Sequence, residues 1–150
     1  MNSPHHDEAV MTKREVEALT IARVVAREAH RGQLDKAGED YYLGHLSRMA
    51  VALDLSGHRL RMAGWLHDTV EDTKVSLLEI QSMFGREVSD IVDALTRRDD
   101  ETYMESIHRV NRHPEARRVK LADIDDHLRD TTPLNDTMID RYEKAREVLR

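Results

Sequence analysis

Residues His67-Asp68-Thr69-Val70-Glu71-Asp72 set an imidazole and three carboxylates side by side. They follow Leu60, Met62, Ala63, Trp65 and Leu66, so they end an otherwise apolar helix. Residues three and four apart share a helical face. His67 then stands near Glu71, and Asp68 stands near both Glu71 and Asp72. Packed carboxylates repel one another, and burial raises the cost. A bound cation resolves both problems. The competing reading is a helix C-terminal cluster facing solvent, with Asp72 capping the next turn.

Two distant residues bear on that choice. His30 ends a helix whose other buried-face residues are apolar, and Asp123 stands in the apolar stretch Val119-Lys120-Leu121-Ala122-Asp123. Taken singly, His30 reads as a satisfied core or surface residue and Asp123 as a surface acid. Taken with His67 and Asp68, they give two imidazoles and two carboxylates on three separate helices. Such a mixed nitrogen and oxygen set suits Mn²⁺, Fe²⁺ or Zn²⁺ better than Ca²⁺.

A histidine, a His-Asp pair and a distant Asp, in that order, resemble the signature of the HD phosphohydrolase superfamily. The likeness extends to the hydrolase domain of RelA/SpoT-type enzymes. It is carried by Ala29-His30-Arg31-Gly32-Gln33, by the spaced Gly38, Tyr41 and His45, and by Leu66-His67-Asp68-Thr69-Val70-Glu71-Asp72-Thr73. Phe84-Gly85, Ile91-Val92-Asp93-Ala94-Leu95-Thr96 and Val119 to Asp123 continue it, so that it covers roughly Thr20 to Leu149.

The resemblance implies an all-α HD-domain bundle and a metal-dependent enzyme. Such enzymes remove the 3′-pyrophosphate from guanosine tetra- and pentaphosphate, using Mn²⁺. By motif position, His30, His67, Asp68 and Asp123 are the implied metal ligands. Glu71 and Asp72 are the groups implied to orient or deprotonate the attacking water. Lys36, Tyr41, Lys120 and His127 are the implied substrate contacts. The chemistry fits these residue types: a metal lowers the pKa of bound water and neutralises phosphate charge, and an adjacent carboxylate takes the proton.

The likeness has departures. Asp35 replaces a basic residue in the loop Leu34-Asp35-Lys36-Ala37-Gly38-Glu39-Asp40-Tyr41-Tyr42, Leu46 follows His45 where these enzymes have proline, and His127 replaces an asparagine. The metal centre is intact and the substrate-facing residues, Asp35, Asp40 and His127 among them, are altered. Two other readings therefore stand beside the pyrophosphohydrolase. One is an HD nucleotidase or phosphatase acting on another nucleotide. The other is a non-catalytic sensor that binds metal and nucleotide.

Helices must position these groups, and their signals are dense. Thr12 with Glu15, Ser76 with Glu79 and Thr102 with Glu105 have the spacing of capping boxes. The spacing predicts a helix over about Lys13 to Arg31, a polar loop bracketed by Gly32 and Gly38, and a helix over roughly Leu46 to Leu55. A third, buried and central, starts near Arg59 and carries Leu60 through Val70. Further helices follow after Ser76, over Glu87 to Leu95, from Thr102 to near Asn111, over about Glu115 to Arg129, and from Asn135 or Asp136 to Leu149. That is a single-domain bundle of roughly eight helices over residues 12–150, with residues 1–11 as a flexible tail. His5 and His6 belong to that tail. No synthetase or regulatory domain is expected.

The composition sets outer bounds. With 39% hydrophobic and 35% charged residues in 150, the chain fits one solvated domain with a real core. Aromatics are only 4%, so aliphatic residues fill most of the interior. The absence of cysteine excludes disulfides, zinc-thiolate sites and cysteine nucleophiles. No apolar run approaches the roughly 20 residues that span a bilayer, and Met1 to Glu8 has no apolar signal core. A cytoplasmic protein with no membrane partner is expected. The net charge of −6 argues against nucleic acid as a partner. A small anionic nucleotide is accommodated, because a bound divalent cation reverses the local field. No feature of the sequence sets the oligomeric state.

Overall fold

A computed structural model describes residues 10–129 and 133–150. The tail expectation falls largely on residues 1–9, with His5 and His6, and these lie outside the described residues. Met11 packs against an apolar cluster, and its sulfur accepts from Arg61 Nη1 at 2.9 Å.

The helices are α1 (Lys13–Ala29), α2 (Ser47–Ala52), α3 (His58–Leu66), α4 (Thr69–Asp72), α5 (Leu77–Phe84), α6 (Arg86–Leu95), α7 (Tyr103–Asn111), α8 (Pro114–His127) and α9 (Asp136–Leu149). A π-helical turn, Tyr42–Leu46, runs directly into α2. The described residues form no strand beyond an isolated bridge between Leu34 and Asp40. The fold is all-α, as expected.

Side-chain caps start several helices. Thr12, Ser76, Thr102 and Asn135 each accept from the amide three residues on, at 3.2, 3.1, 3.1 and 2.9 Å. Each cap satisfies a backbone donor that the helix itself cannot. Only Thr102 and Glu105 close the full reciprocal box. The boxes expected at Thr12 and Ser76 are simple caps. Pro114 opens α8, where its missing N–H costs nothing.

Helix α3 is the central element, as its all-round apolar pattern required. Leu60 and Ala63 join an apolar cluster with Ile91, Ile107, Val119 and Leu149. Met62, Trp65 and Leu66 join a second cluster with Leu19, Leu46, Ile80 and Val88. One helix thus serves two cores on opposite flanks.

The expected continuation of this helix through Val70 does not occur. The backbone leaves helical geometry at Asp68 (φ −104°, ψ 1°) and resumes at Thr69, which is why nine α-helices are described rather than about eight. Thr69 Oγ1 donates to the Leu66 carbonyl at 2.7 Å, satisfying an acceptor at the interruption. His67 and Asp68 therefore sit at a joint, not on one unbroken face. No glycine or proline marks this joint, so apolar spacing alone runs straight through it.

After α1, Gly32 (φ 82°) and Gly38 (φ 81°) take the left-handed conformation that favours glycine. They let the loop fold back, with Asp35 N donating to Glu39 O at 2.7 Å and Tyr41 N to Gln33 O at 2.9 Å. The loop so closed carries Lys36 and Tyr41 to the cavity described next.

Candidate metal centre

Three histidines are anchored in the same way. His67 Nδ1–H donates to the Gly64 carbonyl at 2.8 Å, His30 Nδ1–H to Gln33 Oε1 at 2.7 Å, and His45 Nδ1–H to Asp126 Oδ2 at 2.7 Å. A proton fixed on Nδ1 leaves Nε2 as a bare lone pair. The three residues are only 1–2% exposed. None of the three Nε2 atoms, nor Asp123 Oδ1, meets a hydrogen-bond partner in acceptable geometry.

Buried acceptors without donors are costly, and these are crowded together. Asp123 Oδ1 lies 3.0 Å from His45 Nε2, 3.4 Å from His67 Nε2 and 3.2 Å from His127 Nε2. His67 Nε2 lies 3.0 Å from Asp68 Oδ2. A divalent cation would relieve the His45, His67 and Asp123 atoms together, and imidazole with carboxylate is a donor mixture that transition-metal ions accept. The residues present fit such an ion.

The electrostatics agree. Burial opposes ionisation of Asp68, but the His67 imidazole beside it outweighs this and holds the carboxyl below its ordinary range. Burial likewise opposes ionisation of Asp123, and Lys120 with His127 overcomes it. Burial lowers the His30 pKa. For His67 burial also acts downward, yet the Asp68 and Asp123 carboxylates raise the ring well above its usual value. The field that raises an imidazole pKa is the field that attracts a cation.

The structure brings His67, Asp68 and Asp123 together. Two trios have ligand atoms all within 4.8 Å of one another: His45 with His67 and Asp68, and His45 with Asp123 and His127. His30 belongs to neither trio. It adjoins them through Tyr41, whose ring is 4.6 Å from the His30 ring and whose hydroxyl donates to Asp68 Oδ2. His45, common to both trios, was not among the residues the sequence singled out as ligands. Its position in the otherwise apolar and aromatic run Tyr41 to Leu46 is the same kind of signal that marked His67.

These clustered groups border a cavity of about 340 Å³, lined also by Lys36, Glu71, Asp72, Arg97, Lys120 and Arg141. That is the size range of small-molecule pockets. Glu71 Oε1 accepts from the Arg97 amide at 2.7 Å, which ties α4 to the segment after α6. Burial raises the Glu71 pKa, and burial with the nearby Asp68 charge raises that of Asp72. Gln33 joins the groups: its side chain accepts from His30 and also bonds Asp72.

The four expected substrate contacts all line this cavity. Lys36 Nζ donates to the Tyr142 hydroxyl and lies 4.6 Å from that ring's centroid. Lys120 Nζ donates to Asp123 Oδ2 at 2.9 Å. His127 stacks between His45 and Tyr142, at 4.9 and 5.0 Å. Tyr41 turns its hydroxyl to Asp68 rather than into open space.

The chain is 37% identical over 93 residues to a guanosine-3′,5′-bis(diphosphate) 3′-pyrophosphohydrolase of Vibrio cholerae, covering 59% of this chain and 13% of that protein. It is 29% identical over 86 residues to the bifunctional (p)ppGpp synthase/hydrolase SpoT of Escherichia coli, covering 57% and 12%. The chain thus matches about an eighth of the length of these relatives. A solved structure of a metazoan ortholog of SpoT, described as hydrolysing ppGpp and acting in starvation responses, superposes with a TM-score of 0.72 at 25% identity. The superposition covers 94% of this chain and 88% of that one. The HD domain profile matches residues 22–129, and the chain belongs to that family.

Proposed function

We propose that this chain is a metal-dependent phosphohydrolase that removes the 3′-pyrophosphate from guanosine tetra- or pentaphosphate or a closely related nucleotide. The observation that carries the reading is the convergence of bare, buried acceptors, the His45 and His67 Nε2 atoms and Asp123 Oδ1, beside a cavity that His45 and Asp123 line and that also presents cations. The kinship with pyrophosphohydrolases of Vibrio cholerae and others supports the substrate class. The metazoan ortholog supports it for a chain of similar extent.

His30, His67, Asp68 and Asp123 would hold the ion, with Mn²⁺ first and Fe²⁺ or Zn²⁺ as alternatives. When bound, the ion acidifies water and offsets phosphate charge. Glu71 and Asp72 orient and deprotonate the attacking water, Glu71 taking the proton, and their raised pKa values bring them nearer to the ideal for a base at neutral pH. Lys36, Lys120 and Arg141 counter the negative charge of the nucleotide. The water oxygen bonds to the phosphorus that carries the ribose 3′-oxygen as that phosphorus–oxygen bond breaks, the 3′-oxygen takes up a proton to become a hydroxyl, and pyrophosphate is released. This reading goes with a cytoplasmic setting. Among the described residues no helix is long and apolar enough to cross a membrane.

Asp35 and His127, which replace the basic residue and the asparagine of the related enzymes, favour a second reading in which the nucleotide differs. Incubating the manganese-loaded protein with a nucleotide panel decides between them. Pyrophosphate release from guanosine tetraphosphate at the highest kcat/KM supports the first. Phosphate release from simple monophosphates alone replaces it with the second.

A further inference from the structure

Thr96 to Glu101 join α6 to α7, and residues 97–101 are all charged. Connections of this kind ordinarily run over the surface with few fixed contacts. This one is closed from within. The Glu101 side chain is only 14% exposed, and its carboxylate takes two donors of Arg109, Nε at 2.7 Å and Nη2 at 2.9 Å. A two-point grip of this kind fixes a carboxylate in orientation as well as in place. Glu101 Oε1 also accepts the Arg98 amide at 2.9 Å. The Glu101 backbone completes the turn, its N donating to Arg98 O at 3.2 Å and its O accepting Arg97 Nε at 3.1 Å. Arg109 holds the other end of the segment through Ala94 O and Thr96 O, at 2.8 and 3.0 Å.

The closed segment has one product at the cavity. Thr96 is where the backbone leaves α6 and becomes extended (φ −86°, ψ 116°). The next amide, Arg97 N, finds its acceptor outside α6, in Glu71 Oε1 at 2.7 Å. Glu71 stands on α4, which has only four residues and follows the joint at Asp68. A helix of one turn has little stability of its own. Among the described residues, the Arg97 amide is the one hydrogen bond that holds the Glu71 side chain.

We infer that Glu101 and Arg109 are positioning residues of the hydrolysis: they fold the segment between α6 and α7 so that its Arg97 amide holds Glu71 Oε1 and leaves Oε2 to the attacking water. The inference rests on the phosphohydrolase reading above, with Glu71 as the proton acceptor. Neither Glu101 nor Arg109 need touch substrate or metal. They act through a backbone donor, whose direction is set by the turn and not by the Arg97 side chain.

Coupling to Glu71 tests this. Pyrophosphate release and Mn²⁺ content are measured for wild type, Glu101→Gln, Glu71→Gln and the double variant. Glu101→Gln is expected to lower kcat by about 10–10²-fold, the range reached when a reacting group is misplaced by about 1 Å, with KM and Mn²⁺ content unchanged. In the Glu71→Gln background the same change is expected to cost nothing further, because the proton acceptor is already gone. An equal loss in both backgrounds, or an unchanged kcat in Glu101→Gln, overturns the inference and leaves the phosphohydrolase reading standing. Hydrogen exchange of the Arg97 amide, read by NMR, gives a second measure that needs neither turnover nor a folded Glu101 variant. The amide is expected to be protected in wild type and to lose that protection in Glu71→Ala; equal exchange in the two proteins also overturns the inference. A wild-type protein that hydrolyses no nucleotide overturns the phosphohydrolase reading itself, and this inference with it.

Discussion

Asp68 Oδ2 stands 3.0 Å from His67 Nε2, although the two are chain neighbours at the joint between α3 and α4. On a continuous helix, adjacent residues point about 100° apart. The interruption is what turns both toward one point. Asp68→Asn keeps the shape of this side chain but removes its charge. It is expected to lose bound metal and hydrolysis together, with metal content read by elemental analysis after gel filtration. Full metal content in Asp68→Asn would remove this residue from the ligand set.

Lys36 hangs over the Tyr142 ring at the cavity wall. A cation there acts on substrate charge in the ground state and the transition state alike. Lys36→Ala is expected to raise KM far more than it lowers kcat. Steady-state kinetics over substrate concentration checks this, and an unchanged KM takes Lys36 out of the substrate site.

The pH dependence follows from Glu71 and Asp72. Burial raises both carboxyls, and a proton acceptor works only when ionised. Activity is therefore lost as pH falls through these raised values. The acid limb of kcat/KM is expected at higher pH than an exposed carboxylate would give. A pH–rate profile with its acid limb at an ordinary carboxylate value contradicts this assignment.

Arg109 and Glu101 hold the region behind the cavity. Arg109 donates to Glu101 at 2.7 and 2.9 Å and to the carbonyls of Ala94 and Thr96 at 2.8 and 3.0 Å. The Arg109 hydrogen bonds hold Glu101 down at about 2, from an ordinary 4.5. With a depressed folded-state pKa, the pair's contribution is full above 4.5 and is lost as pH falls toward 2. Arg109→Ala also takes a donor from the Ala94 carbonyl, while the Thr96 carbonyl keeps Arg98 Nη1, and is expected to destabilise the fold by about 1–3 kcal/mol. Urea unfolding at pH 7 and pH 3 checks both statements, with the smaller loss at pH 3.

Much of this was legible in the sequence, for identifiable reasons. Thr12, Ser76, Thr102 and Asn135 located helix starts because capping is local chemistry. The uniform apolar pattern of Leu60 to Leu66 marked the central helix, since burial on all sides leaves that signature. The joint at His67-Asp68 was not legible, because no breaker residue marks it and the Thr69 hydroxyl that satisfies the Leu66 carbonyl three residues back leaves the apolar spacing unchanged. The π-turn was not legible either, since the spacing begins a helix only near Leu46 and gives Tyr42 to His45 no helical signal. The place of His45 among the clustered groups was not legible for the same reason: its direction depends on that turn and on Asp126, 81 positions away.

The proposed division of labour, with Glu71 moving a proton and others holding the ion, is tested most directly by one comparison. Pyrophosphate release from guanosine tetraphosphate is measured for wild type and Glu71→Gln at matched, measured Mn²⁺ content. The expected result is equal metal in both and turnover lowered roughly 10²–10⁴-fold in the variant, the usual contribution of a positioned proton acceptor. Equal inactivity of both proteins on guanosine tetraphosphate and on every other nucleotide, with metal and nucleotide still bound, would contradict the account and leave a binding protein in place of an enzyme.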